Sequence, residues 1–94
     1  MKLENKSIII TGSSRGIGKE IALLLAKNGA SVVINYTNNK TDAEAVKNTI
    51  EASGGTAITV QADVSKKDDV IRLFDSAIAA FGKIDVLINN AGVM

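Results

Sequence analysis

Three closely spaced glycines are the residues of this 94-residue sequence that are best suited to binding chemistry. Segment 11–18 reads T-G-S-S-R-G-I-G, which places the glycines at positions 12, 16 and 18, directly after an apolar run. Glycines let a backbone turn sharply, approach a ligand closely and pack a helix against a strand. The unpaired N–H groups at the start of a following helix suit a pyrophosphate. The spacing therefore predicts a phosphate-binding turn, and the alternative is a tight turn that binds no ligand.

The composition excludes several other kinds of site. The sequence contains no His and no Cys, which excludes an imidazole acid–base, a thiolate nucleophile, a disulfide and a zinc site built from those residues. Eleven basic and ten acidic residues give a net charge of +1 without a basic cluster, so we expect no nucleic-acid partner. The apolar runs are too short to span a membrane, and the first residues lack a signal-peptide core. We therefore expect a soluble cytoplasmic domain with no membrane partner.

Four apolar runs predict β-strands, and three helical patterns alternate with them. The runs are β-branched and nearly continuous, which is typical of strands buried on both faces, and they cover residues 7–11, 31–35, 56–61 and 85–89. The first helical pattern ends at Asn28-Gly29. Its large apolar residues recur at the spacing of an amphipathic helix, at Ile17, Ile21, Leu24 and Leu25.

The second and third helices carry recognisable start signals. Thr41 and Glu44 are expected to form a capping box at the start of the second helix. Its inward-facing residues are expected to be Ala43, Val46 and Ile50. Ser65 is expected to be the N-cap of the third helix, with Asp68 and Asp69 in the first turn, where the helix dipole favours acids.

The third helical pattern is the cleanest amphipathic one in the chain, and Gly82 is expected to end it. Its apolar face comprises Val70, Leu73, Phe74, Ala77, Ile78 and Phe81. Regular alternation of strands and helices predicts the α/β class, with a parallel sheet and right-handed crossovers. In a doubly wound sheet of strand order 3-2-1-4, the apolar run 86–88 would form an edge without the Lys or Pro that natural edges use. We therefore expect more chain, or another subunit, to cover it.

Four ordered motifs resemble the short-chain dehydrogenase/reductase family. The glycine turn has the spacing T-G-x-x-x-G-x-G, Asp63-Val64 follows the third strand, Lys83-Ile84-Asp85 leads into the fourth, and Asn89-Asn90-Ala91-Gly92 follows it. The resemblance covers essentially the whole chain and is greatest to the 3-oxoacyl-[acyl-carrier-protein] reductases and the glucose dehydrogenases. It implies that residues 1–94 are the N-terminal dinucleotide-binding portion of a Rossmann domain of roughly 250 residues.

The residues around the second strand favour NADP over NAD. An acid at the end of that strand bonds the ribose 2′-hydroxyl of NAD, whereas a nearby basic residue accommodates the 2′-phosphate of NADP. Segment 35–38 has no carboxylate, and Arg15 inside the glycine turn has a guanidinium suited to a phosphate. The alternative for Arg15 is an exposed basic side chain. Four other side chains could add hydrogen bonds to the cofactor: Ser13, Ser14, Thr37 and Asn38.

The resemblance implies roles for further residues. Asp63 would accept a hydrogen bond from the adenine amino group while the Val64 backbone lines the ring, although Asp63 could also be a polar residue at a strand end. Asn90 would contact the adenosine ribose. Asn89 and Gly92 would be structural: Asn89 would bond the backbone of the neighbouring strand, and Gly92 would allow close approach of the cofactor. The candidate cofactor-binding residues are Gly12, Ser13, Ser14, Arg15, Gly16, Ile17, Gly18, Tyr36, Thr37, Asn38, Asp63, Val64, Asn90, Ala91 and Gly92.

The catalytic residues that the resemblance implies are not among these 94 residues. The family uses a Tyr-x-x-x-Lys pair, with a Ser and an Asn, on segments that follow the fifth strand. Tyr36 and Lys40 match that spacing, but they follow the second strand at the adenosine end, so we interpret Tyr36 as adenine-side packing and the match as coincidence. We expect no metal site and no catalytic activity from this chain alone.

Several functions fit these observations. The first is the cofactor half of an oxidoreductase that reduces a small-molecule or acyl-carrier-bound carbonyl compound, within a parent enzyme that is a homotetramer by resemblance. A non-catalytic nucleotide-binding module and a fragment that folds only beside its missing partner are the alternatives. A methyltransferase also has a glycine turn after its first strand, but Arg15 and the N-N-A-G element argue against it.

Overall fold

The computed structural model describes residues 2–91, and within that range four strands alternate with three helices. The elements are β1 (Ser7–Ile10), α1 (Gly16–Lys27), β2 (Ser31–Tyr36), α2 (Lys40–Ala52), β3 (Thr56–Gln61), α3 (Lys67–Phe81) and β4 (Val86–Ile88). The strands form one parallel sheet in the order β3-β2-β1-β4. This order confirms the predicted Rossmann-type fold class.

Alternate residues of the central strands face two hydrophobic clusters, one on each side of the sheet. On one side, α1 and α2 cover a cluster whose strand residues include Ile8, Ile10, Val32 and Ile34. On the other side, Leu73 and Ala77 of α3 cover Ile9 and Val33. Because both faces of β1 and β2 are buried, their sequences are continuous apolar runs rather than alternating ones.

Helix α1 packs on the sheet through small residues rather than through its large ones. Its buried residues are Gly18, Ala22 and Ala26. Ile17 and Leu24, which belong to the apolar pattern that predicted the helix, are 74% and 60% exposed. Small side chains bring the helix backbone close to the sheet, so the neighbouring large side chains lie to the side or face outward. The pattern correctly predicts the helix, and its residues Ile21 and Leu25 pack half-buried against the core, but the most buried residues of α1 are the small ones.

Both predicted helix starts need correction. α2 begins at Lys40 with Asn39 as its N-cap, so Thr41 lies inside the first turn and forms no capping box. Glu44 instead accepts a hydrogen bond from the Thr59 hydroxyl at 3.4 Å. The N-cap of α3 is Lys66 rather than Ser65, because the Ser65 hydroxyl donates back to Asp63 Oδ1 at 2.6 Å.

The rest of the prediction for α2 and α3 is largely confirmed. Ala43, Val46 and Ile50 are the buried residues of α2. Asp68 and Asp69 lie in the first turn of α3, and Gly82 ends that helix in the left-handed conformation at φ 81°. The predicted apolar face of α3 is buried at Leu73 and Ala77 and half-buried at Val70, Phe74 and Phe81, but Ile78 is 48% exposed.

Strand β4 is a short edge of the sheet, as expected, and Val86 and Leu87 are exposed. Asp85 is not part of the strand but anchors it to β1. Its carboxylate accepts a hydrogen bond from the Ser7 amide at 2.8 Å and pairs with Lys83 at 3.1 Å. The Ser7 amide, and next Lys83, lower the pKa of Asp85. Among residues 2–91, no helix has the length and apolar character needed to cross a membrane.

Candidate cofactor site

The glycine turn lies at the carboxyl end of β1, where it leads into α1. Gly12 and Gly16 have φ values of +63° and +64°, a conformation that side chains with a Cβ rarely adopt. A Cβ added at Gly18 would contact the Gly12 carbonyl oxygen and lie 2.6 Å from Asn90 Nδ2. The turn therefore packs so closely against the start of α1 and against Asn90 that a larger residue at position 18 would force these groups to move.

The start of α1 is open to solvent. Arg15 is the N-cap residue of this helix, in an extended conformation and without a side-chain cap. Because the first N–H groups of a helix have no partners within it, they are available to an anion beside the turn. Arg15, Gly16 and Ile17 are exposed. They lie along a groove of about 690 Å³ between α1 and α2 whose other lining residues include Ser14, Leu24, Asp42 and Ala45.

A buried threonine joins this turn to the end of β4. The Thr11 hydroxyl oxygen accepts hydrogen bonds from the amides of Asn90 and Ala91, each at 2.9 Å, and donates to Asn89 Oδ1 at 3.2 Å. Asn90 Nδ2 in turn donates to the Gly12 carbonyl oxygen at 3.1 Å. The Asn-Asn-Ala segment therefore packs directly on the glycine turn. Gly92 lies outside the described residues.

Thr11 was not among the predicted site residues, although it begins the T-G-x-x-x-G-x-G motif. Its position inside the motif, directly after an apolar strand, was the available signal. Asn89 was expected to bond the backbone of the neighbouring strand, and its partner is the Thr11 side chain instead. The difference arises because the strand pairing between β1 and β4 ends at Ile10 and Ile88. Beyond these residues, hydrogen bonds of the Thr11 side chain connect the two segments.

The two serines of the turn have different surroundings. Ser13 is completely buried, its hydroxyl donates to the Ile10 carbonyl oxygen at 2.7 Å, and its amide donates to the Asn35 carbonyl oxygen at 2.9 Å. These bonds engage Ser13 within the fold rather than toward the cofactor position that we expected for it. Ser14 is also largely buried but lines the groove beside Arg15.

Asn35 is a second residue of this region that was not among the predicted site residues. It is 1% exposed, and its side chain bonds both the glycine turn and the end of β3. A buried asparagine in an otherwise apolar strand was the signal in the sequence, because buried polar groups need partners.

The segment after β3 places Asp63 at the carboxyl end of the parallel strands, where the glycine turn also lies. Asp63 Oδ1 accepts hydrogen bonds from the Ser65 hydroxyl at 2.6 Å and from the Ser65 amide at 3.0 Å. These bonds, together with the charge of Lys66, lower the pKa of Asp63, so the group is an ionised hydrogen-bond acceptor at neutral pH. Val64 is half-buried against the α3 side of the core.

The loop after β2 carries the remaining candidates. Tyr36 is half-buried against the core, whereas Thr37 and Asn38 are exposed. The Thr37 carbonyl oxygen accepts a hydrogen bond from Gln61 Nε2 at 3.1 Å. Tyr36 ends β2 and Lys40 begins α2, so these two residues do not share a helix face as a Tyr-x-x-x-Lys pair would. No metal-binding group of three or more acidic, His or Cys residues occurs within residues 2–91.

Comparisons with known proteins agree with this geometry. The family described as short chain dehydrogenase matches residues 6–94. An uncharacterised oxidoreductase of Methylorubrum extorquens is 52% identical over 92 residues, which are 98% of this chain and 37% of that protein. The 3-oxoacyl-[acyl-carrier-protein] reductase FabG of Staphylococcus epidermidis is 47% identical over 89 residues, covering 95% of this chain and 36% of that protein.

A solved structure gives the same result for the fold. A short chain dehydrogenase from Burkholderia cenocepacia, crystallised in complex with NADP, superposes with a TM-score of 0.94 at 44% identity, covering 99% of this chain and 38% of that one. The chain thus spans little more than a third of the length of the relatives that it matches. The motif order, the sheet order and these matches together establish that the chain belongs to the short-chain dehydrogenase family.

Proposed function

We propose that this chain is the NADP(H)-binding portion of a carbonyl reductase or alcohol dehydrogenase. The observation that carries the proposal is the glycine turn, which leads into the open N-terminus of α1 with the exposed Arg15 beside it. The bound cofactor would supply a hydride for reduction of a carbonyl carbon. The fit to a dinucleotide is supported by Gly16, which has a φ of +64° and no protein atom within 4 Å of the position of a Cβ, so the backbone there is open to a ligand.

The residues of this chain would bind and orient the cofactor. Backbone N–H groups at the start of α1 would contact the pyrophosphate, and Gly12 and Gly16 would let the backbone approach it. The ionised carboxylate of Asp63 would accept the hydrogen bond of the adenine amino group, with Val64 and Tyr36 beside the ring. Asn90 and Ala91 lie at the turn itself, where they would contact the adenosine ribose and line the site.

The preference for NADP over NAD rests on charge. Arg15 lines the groove between α1 and α2, and residues 35–38 at the end of β2 carry no carboxylate that would repel a 2′-phosphate. Thr37 and Asn38 are exposed and would add hydrogen bonds. A guanidinium is suited to a phosphate because it donates several hydrogen bonds in one plane.

A 3-oxoacyl-[acyl-carrier-protein] substrate, and hence a role in fatty acid biosynthesis, is our preferred assignment for the complete enzyme. The 47% identity to the reductase of Staphylococcus epidermidis supports it. A glucose dehydrogenase-like parent enzyme is the alternative. On resemblance alone we also propose a homotetramer in the cytoplasm. The sequence has one tyrosine, Tyr36, which ends β2 where the adenine would bind, so this chain by itself should reduce no carbonyl compound.

Titration with both cofactors tests the proposal. NADPH should bind more tightly than NADH, as measured by nicotinamide fluorescence or thermal shift. Arg15→Ala should reduce this preference, and Lys27→Ala, which removes a cation at the opposite end of α1, should leave it unchanged. An NADPH-to-NADH ratio that Arg15→Ala does not alter would contradict the role of Arg15. A chain that binds neither cofactor would contradict the proposed function.

A second candidate is a nucleotide-binding module that catalyses nothing. It is supported by the same turn, which would bind a nucleotide whether or not a catalytic centre accompanies it. Carbonyl reduction with NADPH by the complete enzyme would exclude it.

A further inference from the structure

We propose that Asn35 is a positioning residue of the cofactor site, whose buried side chain fixes the distance between the glycine turn and the segment that begins at Asp63. The inference rests on the proposed cofactor function, because these two segments are the parts that would bind the pyrophosphate and the adenine. Asn35 itself is 1% exposed and would contact neither.

Asn35 lies on β2 just beyond the last residue paired with β1, but still within the part of β2 that pairs with β3. β1 pairs with β2 as far as the pair Ile10 and Ile34, whereas β3 pairs with β2 up to Tyr36 and Gln61. Beyond Ile10 the chain leaves the sheet to form the glycine turn, and the Gly12 amide no longer bonds a backbone carbonyl oxygen of β2. A side chain from β2 takes over that function.

The side-chain amide of Asn35 bonds both neighbours of β2. Its Oδ1 accepts a hydrogen bond from the Gly12 amide at 3.0 Å. Its Nδ2 donates to the carbonyl oxygens of Val60 at 3.3 Å and of Ala62 at 3.2 Å. The orientation of the amide follows from these partners, because an N–H group can only donate and a carbonyl oxygen can only accept. Ala62 directly precedes Asp63, so the amide spans the two halves of the site.

The backbone of Asn35 adds two more bonds to the turn. Its amide donates to Ser13 Oγ at 3.0 Å, and its carbonyl oxygen accepts from the Ser13 amide at 2.9 Å. Both residues are buried, and a buried polar group that loses its partner is costly. The turn and the end of β3 therefore cannot separate or shift along the sheet without breaking several buried hydrogen bonds at once.

Asn35→Ala in the complete enzyme tests this role against a matched core variant. Ile50→Ala removes a buried side chain that packs against Gly55. Gly55 directly precedes β3, so this contact lies at the amino end of the strands, away from the glycine turn. Both variants should lower thermal stability. At a temperature where both are folded, Asn35→Ala should weaken NADPH binding by about tenfold, the equivalent of one buried hydrogen bond, whereas Ile50→Ala should have little effect.

Two further measurements separate positioning from general stability. Adenosine 2′,5′-bisphosphate lacks the pyrophosphate and nicotinamide, so Asn35→Ala should weaken its binding less than that of NADPH. The KM for NADPH should rise while kcat at saturating NADPH stays close to the wild-type value. Equal losses for the two ligands, or equal losses in the Asn35 and Ile50 variants, would overturn the inference while the proposed function stands. Wild-type enzyme that does not bind NADPH would overturn the proposed function, and this inference with it.

Asn35→Asp provides a second variant of the same shape. It keeps the oxygen that accepts from Gly12, but it can donate to the β3 carbonyl oxygens only when it is protonated. Its NADPH affinity relative to that of the wild type should therefore rise when the pH is lowered from about 8 to about 6, because burial favours the protonated form. A relative affinity that does not change with pH would overturn the need for a donor at this position.

Discussion

The hydroxyl oxygen of Thr11 lies 2.9 Å from the amide nitrogen of Asn90, and the hydrogen bond joins residues that are 79 positions apart in the sequence. Thr11 follows β1 and Asn90 follows β4, so the bond ties together the carboxyl ends of these neighbouring strands. At the other end of the same pair, the Asp85 carboxylate accepts from the Ser7 amide. The edge strand β4 is only three residues long, and side chains hold it at both ends.

Replacing Thr11 with Val should destabilise the protein. Val has the same shape but leaves the amides of Asn90 and Ala91 without an acceptor, at a cost of about 1–3 kcal/mol. Urea unfolding measures the change in the free energy of unfolding. Thr11→Ser retains the hydroxyl and is the control, so an equal loss of stability in both variants would argue against the hydrogen bonds as the cause.

Gly18→Ala should impair both stability and cofactor binding. The new Cβ would press on the Gly12 carbonyl oxygen and on Asn90 Nδ2, at an overpacking cost of about 1–3 kcal/mol. Gly54→Ala is a useful comparison, because Gly54 has a φ of +88°, open space around it and a position far from the turn. It should cost about 1–2 kcal/mol in backbone strain without weakening NADPH binding. Equal effects of the two variants on NADPH affinity would contradict the steric account.

Asp85 should make stability depend on pH in the acid range. Its pKa in the folded protein is lowered, first by the Ser7 amide and then by Lys83. A lowered folded pKa stabilises the protein above the unfolded value of about 3.9, and this contribution is lost as the pH falls through the folded pKa. The Asp85→Asn variant should therefore lose less stability than the wild type between about pH 5 and pH 2. Parallel acid unfolding curves for the two proteins would contradict this expectation.

Asp42→Asn should strengthen NADPH binding slightly. Asp42 lines the same groove as Arg15, so its negative charge opposes a phosphate there. Both residues are exposed, and we expect an effect of about twofold at low salt that fades as the ionic strength rises. Asp75→Asn on α3 changes the net charge equally at an exposed position outside the groove and should have no effect. An equal gain in both variants would indicate a response to net charge alone.

The sequence predicted the elements well where several local signals agreed. For α3, the apolar spacing, the acids Asp68 and Asp69 in the first turn and the stop at Gly82 all indicate the same helix, and the structure has it there. The strand β3 matches its predicted bounds, 56–61. Alternation and handedness predicted a parallel sheet, whereas the strand order was expected from the doubly wound Rossmann-type fold.

The predictions failed where a side chain had a choice of partners. Ser65 could cap α3 or bond Asp63, and only the folded chain determines that it bonds Asp63. Likewise the buried stripe of α1 uses Gly18 and Ala22 because the distance between helix and sheet, which no local pattern encodes, excludes larger residues. For the same reason the roles of Thr11 and Asn35 emerged from the structure: their partners are distant in sequence.

The sheet order also has a consequence for how the chain folds during synthesis. β1 leaves the ribosome before the other three strands, yet one of its two neighbours, β4, is the last of the four, and the contacts between them span 77 to 80 residues. One edge of β1 therefore stays unpaired while the ribosome adds the intervening helices and strands. Closure of such a long loop carries an entropic cost before any contact compensates for it, which slows folding. Until β4 has emerged, the nascent chain therefore has an unpaired edge on a strand whose four residues are all buried in the folded domain.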